Sequence, residues 1–308
     1  MALVCTRRTF LKSSGLAGAA AMMGFTEAGD RVLRPLRTAW LGFGEAARRH
    51  FDAGLATGLL DPVSVSDPVS SAAKDAVAAS QMAGLRSPKV HPSWERLFRG
   101  RRAELTVVAS PDHWHLEQAL AAVQSGSHVL LETMPTRTWE GFQLLQERAR
   151  RGGRLVAVAA PWRMSKGMQL ARRAIASGEL GPLEEVRVEG RVETVARTGL
   201  REPEDGGESV DWGQWLGAAE WPEARREALL DRGWRRFRQF GSGVFSGEAF
   251  RRLDEALWMT GDPGLREVSA LGGGRRGVRP GPGVGAAGAP TDCVAVGRLT
   301  NGGLLRLD

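Results

Sequence analysis

The sequence predicts an α/β protein whose N-terminal part is a doubly wound parallel sheet. Three observations predict it. Short apolar, β-branched runs alternate with segments of helical period between residues 37 and 159. The first run feeds a Gly-x-Gly-x-x-Ala turn at Gly42-Phe43-Gly44-Glu45-Ala46-Ala47, and the second ends on an acidic residue, Asp67. Strands that alternate with helices favour parallel βαβ units, because each crossover helix covers one face of the sheet.

The elements follow in order. Arg37 to Leu41 reads as a strand and Ala46 to Leu55 as the helix after it. In the turn between them the first glycine permits a tight bend, and the second lets a pyrophosphate approach the backbone. The small third residue lets helix and strand pack closely, and the free N–H groups of the helix start face the phosphates. A plain glycine turn is the bland alternative. Val63 to Ser66 is a second strand, and Asp67 lies 23 residues beyond Gly44, where a carboxylate can accept from the adenosine ribose and disfavour a 2′-phosphate. Leu105 to Ala109 has the composition of a buried parallel strand and is broken by Ser110-Pro111. Asp112 to Gln124 carries Leu116, Ala119, Leu120 and Val123 at i, i+3, i+4 and i+7, one face of a helix. After Gly126, His128 to Leu131 is a strand, followed by a helix from Trp139 to Arg150 and a strand from Leu155 to Ala159.

The N-terminus reads as an address. Thr6-Arg7-Arg8-Thr9-Phe10-Leu11-Lys12 matches the twin-arginine export pattern, and a mild Ala/Gly-rich stretch from Leu16 to Phe25 follows. Residues 1–30 are therefore expected to be a signal segment and the mature protein to be periplasmic or extracytoplasmic. The alternative is an exposed basic start of a cytoplasmic protein. No apolar run reaches the roughly 18 residues of a membrane span, so no membrane anchor is expected.

Composition narrows the rest. The chain has 308 residues, 42% hydrophobic and 25% charged, which suits two domains that fold without disulfides or a metal. Its two cysteines, Cys5 and Cys293, exclude a disulfide scaffold and a four-thiolate zinc site. The net charge of +7 is nearly all arginine, spread along the chain and interleaved with acids, and tyrosine is absent. A nucleic-acid surface calls for a clustered basic stripe with aromatics, so no nucleic-acid partner is expected. His113 and His115 diverge by about 200° on a helix and do not suit one metal, so none is expected.

Two segments, Val107-Val-Ala-Ser-Pro-Asp-His-Trp-His115 and Gly126-Ser-His-Val-Leu-Leu-Glu132, resemble the Gfo/Idh/MocA family of NAD(P)-dependent oxidoreductases. The resemblance continues through Arg163, Ser177-Gly178-Glu-Leu-Gly181, Asp211-Trp-Gly-Gln-Trp-Leu-Gly217, Gly241-Ser-Gly243 and Leu253-Asp254. It implies a Rossmann domain over residues 36–160 and a substrate and dimerisation α/β domain over 161–308. The second domain would carry an open, mostly antiparallel sheet with a substrate pocket on one face and a dimer contact on the other. The cofactor implied is NAD or NADP, with NAD favoured by Asp67. Its expected binding residues are Gly42, Phe43, Gly44, Asp67, Ser110, Pro111, His115 and Glu132. For His115 a satisfied helix-start histidine is the bland alternative. Arg163, Arg251 and Asp254 are the expected substrate-binding residues, and the ligand class is carbohydrate-like.

Departures from the family pattern bear on catalysis. The family reads Glu-Lys-Pro, its lysine helping to remove the hydroxyl proton; here Glu132-Thr133-Met134-Pro135 places Thr133 at that position. A neutral hydroxyl does not serve as such a base. The family pattern Asp-x-Gly-x-His-x-x-Asp becomes Gly247-Glu-Ala-Phe-Arg251-Arg-Leu-Asp254, so Gly247 and Arg251 replace the aspartate and histidine. Positions 247, 251 and 254 share one side of a helix, with Phe250, Leu253 and Leu257 beside them. All five histidines, His50, His91, His113, His115 and His128, precede residue 130, so no imidazole of the second domain substitutes. Loss of one general acid or base costs about 10²–10⁴-fold in rate. Arg251 either pairs with Glu255 at i, i+4 or binds an anionic ligand group.

The tryptophans at 212, 215, 221 and 234 are expected to pack the second domain. Gly272 to Pro290 reads as a loop, followed by strands from Cys293 to Arg298 and Leu304 to Leu307. The chain then stops sooner than family members do, predicting an incomplete sheet with an edge that invites self-association. Three functions remain open: an exported, catalytically impaired oxidoreductase for a sugar or cyclitol, a non-catalytic cofactor-binding or partner subunit, and an NAD-dependent glycosidase-like enzyme.

Overall fold

The structure is a computed structural model that describes residues 34–100, 103–182, 184–188, 209–221, 226, 229–230, 233–261, 264–273, 292–300 and 303–307. The expected signal segment lies outside them. Two compact units are formed. The first comprises the described residues up to Ala159 together with 209–221 and 226, and the second comprises the remainder from Ala160. The Asp211 to Gly217 segment thus joins the first unit, where chain order alone placed it in the second.

The first unit is a six-stranded parallel sheet in the order β3-β2-β1-β4-β5-β6. Its strands are β1 (Leu36–Leu41), β2 (Leu60–Ser66), β3 (Lys89–Val90), β4 (Leu105–Val108), β5 (His128–Leu131) and β6 (Val156–Val158). The helices are α1 (Glu45–Thr57), α2 (Ser70–Met82), α3 (Trp94–Phe98), α4 (Asp112–Gln124) and α5 (Trp139–Arg151). This is the doubly wound order, in which β1 and β4 flank the point where the winding reverses.

Alternation along β1 builds the core. Trp40 faces one layer with Phe43, Phe51, Leu60 and Val65, while Ala39 and Leu41 face the other with Val108, Ala119, Val123 and Leu145. The Trp40, Phe43 and Phe51 rings lie 5.6 Å apart pairwise, in edge-on or tilted contacts. Such pairs add to simple burial. Helix ends follow local chemistry: Gly58, in the left-handed region at φ 67°, closes α1 with its N–H on the Leu55 carbonyl. The Thr138 hydroxyl accepts from the Gly141 N–H at 3.1 Å and opens α5.

Residues 209–211 run along the first unit beside the start of α2. The Ser70 N–H donates to the Ser209 carbonyl and the Asp211 N–H to the Pro68 carbonyl. Helix α6 (Trp212–Leu216) then places the Trp215 carbonyl where the indole N–H of Trp114 donates to it at 3.0 Å. Trp212, Trp215 and Trp221 therefore belong to the first unit, correcting the expectation that they pack the second.

The second unit contains α7 (Lys166–Ser177), α8 (Val244–Thr260) and a four-stranded sheet. Its strands are β7 (Glu185–Val188), β8 (Leu265–Gly273), β9 (Asp292–Leu299) and β10 (Leu304–Leu307), in the order β7-β10-β9-β8. Pairings β8–β9 and β9–β10 are antiparallel and β10–β7 is parallel. Leu253, Ala256 and Leu257 of α8 pack on Leu299 and Leu305 of this sheet. Strand β8 runs on through Gly272 and Gly273, so the expected loop begins two residues later than composition suggested. The rest of that loop lies outside the described residues.

Candidate functional site

The carboxyl ends of four adjacent strands gather the expected cofactor residues. Gly42 follows β1, Asp67 follows β2, Ser110-Pro111 follow β4 and Glu132 follows β5. Backbone bonds tie these ends together: Gly42 N–H to Ser66 O at 3.0 Å, Ala109 N–H to Leu41 O at 2.9 Å, and Glu132 N–H to Val108 O at 3.0 Å. This edge is where open α/β sheets bind ligands.

The glycine turn meets the demands of a pyrophosphate cradle. Gly42 sits at φ +79°, and a Cβ there would lie 2.9 Å from the Ser110 nitrogen, so only glycine fits. A Cβ on Gly44 would meet nothing within 4 Å, which leaves open space beside the backbone. Helix α1 starts at Glu45 with no side-chain cap on its first N–H groups. Exposed N–H groups and the positive end of the helix dipole suit a phosphate.

Asp67 is fixed from two sides. Its Oδ2 accepts from the Phe43 N–H at 2.7 Å and its Oδ1 from the Val69 N–H at 2.8 Å. Its two carboxylate oxygens are acceptors of the kind a ribose hydroxyl donates to. The Phe43 side chain is buried in the core, and its contribution is the amide that orients Asp67.

Across the switch point, the Ser110 hydroxyl donates to Gln118 Oε1 at 2.7 Å. His115 is buried, with Nε2 2.7 Å from the Ser110 carbonyl and Nδ1 2.5 Å from the Met134 carbonyl. The ring therefore bridges the β4 end and the segment after β5, the satisfied-histidine reading of that residue.

Glu132 lies 2.6 Å through Oε1 from His50 Nε2 and accepts from the Thr133 N–H through Oε2 at 3.2 Å. Burial pushes its carboxyl pKa up, but the His50 contact and the Thr133 N–H outweigh that, and the net shift is downward. Glu132 is thus an anion held at the turn after β5 by His50 and the Thr133 N–H. His50, on α1 six residues beyond Gly44, and Gln118 were not among the expected site residues. The signal for His50 was a histidine on the inward face of α1, beside buried Ala47 and Phe51. The Thr133–Met134 peptide bond is cis. No lysine stands at position 133.

In the second unit, Arg163 and Asp254 meet each other. Arg163 Nε donates to Asp254 Oδ2 at 2.8 Å and Nη2 donates to Oδ1, while the Trp162 indole N–H donates to Oδ2 at 2.8 Å. Their side chains are 6% and 16% exposed. This forked pair joins the 3₁₀ turn Pro161–Met164 to α8, so two of the expected substrate-binding residues are partners of each other. Arg251 Nη1 donates to Glu255 Oε1 at 3.2 Å, the i, i+4 pairing that was one of its two expected fates. A Cβ at Gly247 would meet nothing within 4 Å. No helix among the described residues is long and apolar enough to cross a membrane.

Comparison with known proteins bears on these features. Residues 36–160 match the oxidoreductase family with an NAD-binding Rossmann fold (Gfo/Idh/MocA), and residues 5–24 match the twin-arginine translocation pathway signal sequence. D-glucoside 3-dehydrogenase from Escherichia coli (strain K12) is 28% identical over 150 residues, covering 48% of this chain and 41% of that protein. The chain thus aligns with less than half the length of that curated relative. The crystal structure of the WlbA dehydrogenase from Bordetella pertussis, in complex with NADH and UDP-GlcNAcA, superposes with a TM-score of 0.63 at 20% identity, over 89% of this chain and 71% of that one. GenD2 from gentamicin A biosynthesis, in complex with NAD, gives a TM-score of 0.65 at 18% identity, over 91% and 67%. At such identities the likeness is one of fold.

Proposed function

Residues 36–160 being an NAD-binding Rossmann domain of the Gfo/Idh/MocA oxidoreductase family behind a twin-arginine signal, we propose that the mature chain works in the periplasm or another extracytoplasmic space. There it binds NAD and a sugar-like or cyclitol ligand, with proton transfer, and hence alcohol oxidation, impaired. The observation that carries this reading is the contrast between an intact cradle and its neighbour. Gly42, Gly44 and Asp67 have the geometry a dinucleotide needs, whereas the turn beside them carries Thr133 and a Glu132 already held by His50.

NAD, when bound, supplies a nicotinamide that accepts hydride. The chain's own residues do the rest. The α1 start and the Gly42–Gly44 backbone hold the pyrophosphate, and Asp67 accepts from the ribose hydroxyls. His115 and Glu132 keep the β4 and β5 ends in register. A threonine hydroxyl does not take the substrate proton near neutral pH, and Arg251 is a cation that cannot act as a base. The sugar-like ligand class is supported by the likeness to a glucoside dehydrogenase. Self-association through the second sheet is supported by the exposure of Val268 and Leu271 on β8, 61% and 83%.

Titration of the mature protein with NAD⁺ and NADP⁺, followed by tryptophan fluorescence, tests the first part. A screen of glucosides and inositols for reduced nicotinamide absorbance tests the second. NAD⁺ binding without turnover is expected, together with a gain of turnover in Thr133→Lys. Ready turnover by the native chain would refute the impairment, and absence of dinucleotide binding would refute the whole reading.

A further inference from the structure

The outer edge of the first sheet holds a cavity of about 460 Å³ lined by Lys89, Val90, His91, Pro92, Arg96, Arg99 and Gly100. We propose that this cavity is a binding site for a phosphate-bearing anion, distinct from the pyrophosphate cradle. The elements that build it are short and well anchored. Strand β3 pairs with β2 through Ser64 to Lys89 and Val65 to Val90, and the His91 N–H continues the ladder onto the Val65 carbonyl at 2.8 Å. Leu97, buried, seats α3, and the Ser93 hydroxyl accepts from the Arg96 N–H at its start. Arg96 and Arg99 are three residues apart on one helical side, so both guanidinium groups serve the same rim.

Three features bear on what this cavity binds. Among the described residues Lys89, Arg96 and Arg99 form no ion pair, so their charges face the cavity unmatched by a described carboxylate. Glu95, on the same helix, is not part of the lining. Like charges on one side of a helix repel, a cost that a bound anion reverses. The third feature is His91, a polar side chain only 6% exposed whose ring makes no hydrogen bond among the described residues and lines the cavity. Burial and the neighbouring Lys89 hold its imidazole pKa below the ordinary value, so the neutral ring offers one N–H donor beside three cations.

That donor set selects the ligand. Two planar guanidinium forks, an ammonium and an imidazole N–H give many donors against the single acceptor nitrogen of the neutral ring, which suits the three oxygens of a phosphate monoester better than a single carboxylate. The volume exceeds that of a bare phosphate, leaving room for the organic group that carries it. Two sources share this chemistry: a free phosphorylated small molecule, and the 2′-phosphate of a dinucleotide whose ribose lies by Asp67, at the end of the neighbouring strand β2.

The experiment uses the mature full-length protein saturated with NAD⁺, so that phosphate cannot report on the cradle. Inorganic phosphate is titrated at constant ionic strength by ³¹P NMR line broadening and by calorimetry. Saturable binding is expected, weakened roughly tenfold in each of Arg96→Gln and Arg99→Gln, about one charge-assisted contact apiece. Both arginines are exposed, so these variants fold, and their affinity for NAD⁺ should equal that of the native protein. His91→Gln should weaken phosphate in the same direction. Repeating the titration without NAD⁺ keeps the inference testable if dinucleotide binding fails. In a separate arm with no NAD⁺ present, competition between phosphate and NADP⁺ that is lost in Arg96→Gln would identify the 2′-phosphate source. Competition by a phosphorylated sugar alone would identify the free ligand, and either supports the site. Non-saturable binding, or binding unchanged in all three variants, overturns it.

Discussion

Replacing Asp254 by alanine removes the carboxylate that faces Arg163 Nε and Nη2 and the Trp162 indole N–H. The guanidinium is almost wholly buried, so its lost counter-charge is not replaced by bulk water. Removing one partner of a buried pair costs about 3–5 kcal/mol, mostly the desolvation of the charge left behind. Asp254→Asn keeps an acceptor oxygen of the same shape and loses the charge, so a smaller loss of about 1–3 kcal/mol is expected. The paired replacement Arg163→Met with Asp254→Leu removes both charges and should recover part of the Asp254→Ala loss. Urea unfolding followed by far-ultraviolet circular dichroism and tryptophan fluorescence, with NAD⁺ present to hold the first unit, reads all three. The expected order of stability is native, Asp254→Asn, then Asp254→Ala. An Asp254→Ala protein within about 0.5 kcal/mol of native, at unchanged slope, would refute the reasoning, since such small effects belong to surface sites. It would also return Asp254 to the pool of ligand-binding groups.

Gly42→Ala forces a Cβ to 2.9 Å from the Ser110 nitrogen at φ +79°, so NAD⁺ affinity should fall at least tenfold and the melting temperature should drop; an affinity equal to native would show that the turn has another conformation when bound. His50→Ala removes the group that offsets the burial of Glu132, and a loss of about 1–3 kcal/mol is expected in denaturant unfolding. Acid should act in two stages. His128 accepts the Leu155 N–H at Nδ1 and is held neutral by burial and by Arg154, so the unfolded chain takes up a proton first and stability falls as pH drops below about 6.5. The Glu104 carboxyl, hydrogen-bonded by Arg34, is pulled from 4.5 to about 2, so its contribution is present above pH 4.5 and lost as pH falls toward about 2. Melting temperature against pH in Glu104→Gln should shrink the lower stage, to which Glu132 also contributes, and alter the upper one slightly because Glu104 acts on His128; a lower stage unchanged in that variant would contradict the assignment.

Much of the first unit was legible. The strands after which the chain turns on Gly42, Asp67 and Ser110-Pro111 carry short apolar or β-branched runs, and α4 and β5 fall on the residues that periodicity indicated, because packing on both sheet faces demands that pattern. Helix α2 was harder to see. Its buried face is Ala73, Ala76, Ala79 and Ser80, small residues that a close helix-on-sheet contact accepts but that barely differ from their neighbours in hydropathy. Strand β3 is two residues long and carries no period at all.

Local sequence determined where the cradle lies, since a glycine turn, a helix start and an acid at the next strand end are short-range features. The chain also determined that Thr133, Gly247 and Arg251 stand where the family resemblance leads one to expect a lysine, an aspartate and a histidine. Pairing between distant positions was decided only by tertiary structure. His50 with Glu132, Arg163 with Asp254, and the return of Asp211 to Pro68 each join segments far apart in the chain, and nothing local encodes such partners. A buried charge takes whichever counter-charge the packed elements bring within reach, and that is settled when the sheets and helices assemble.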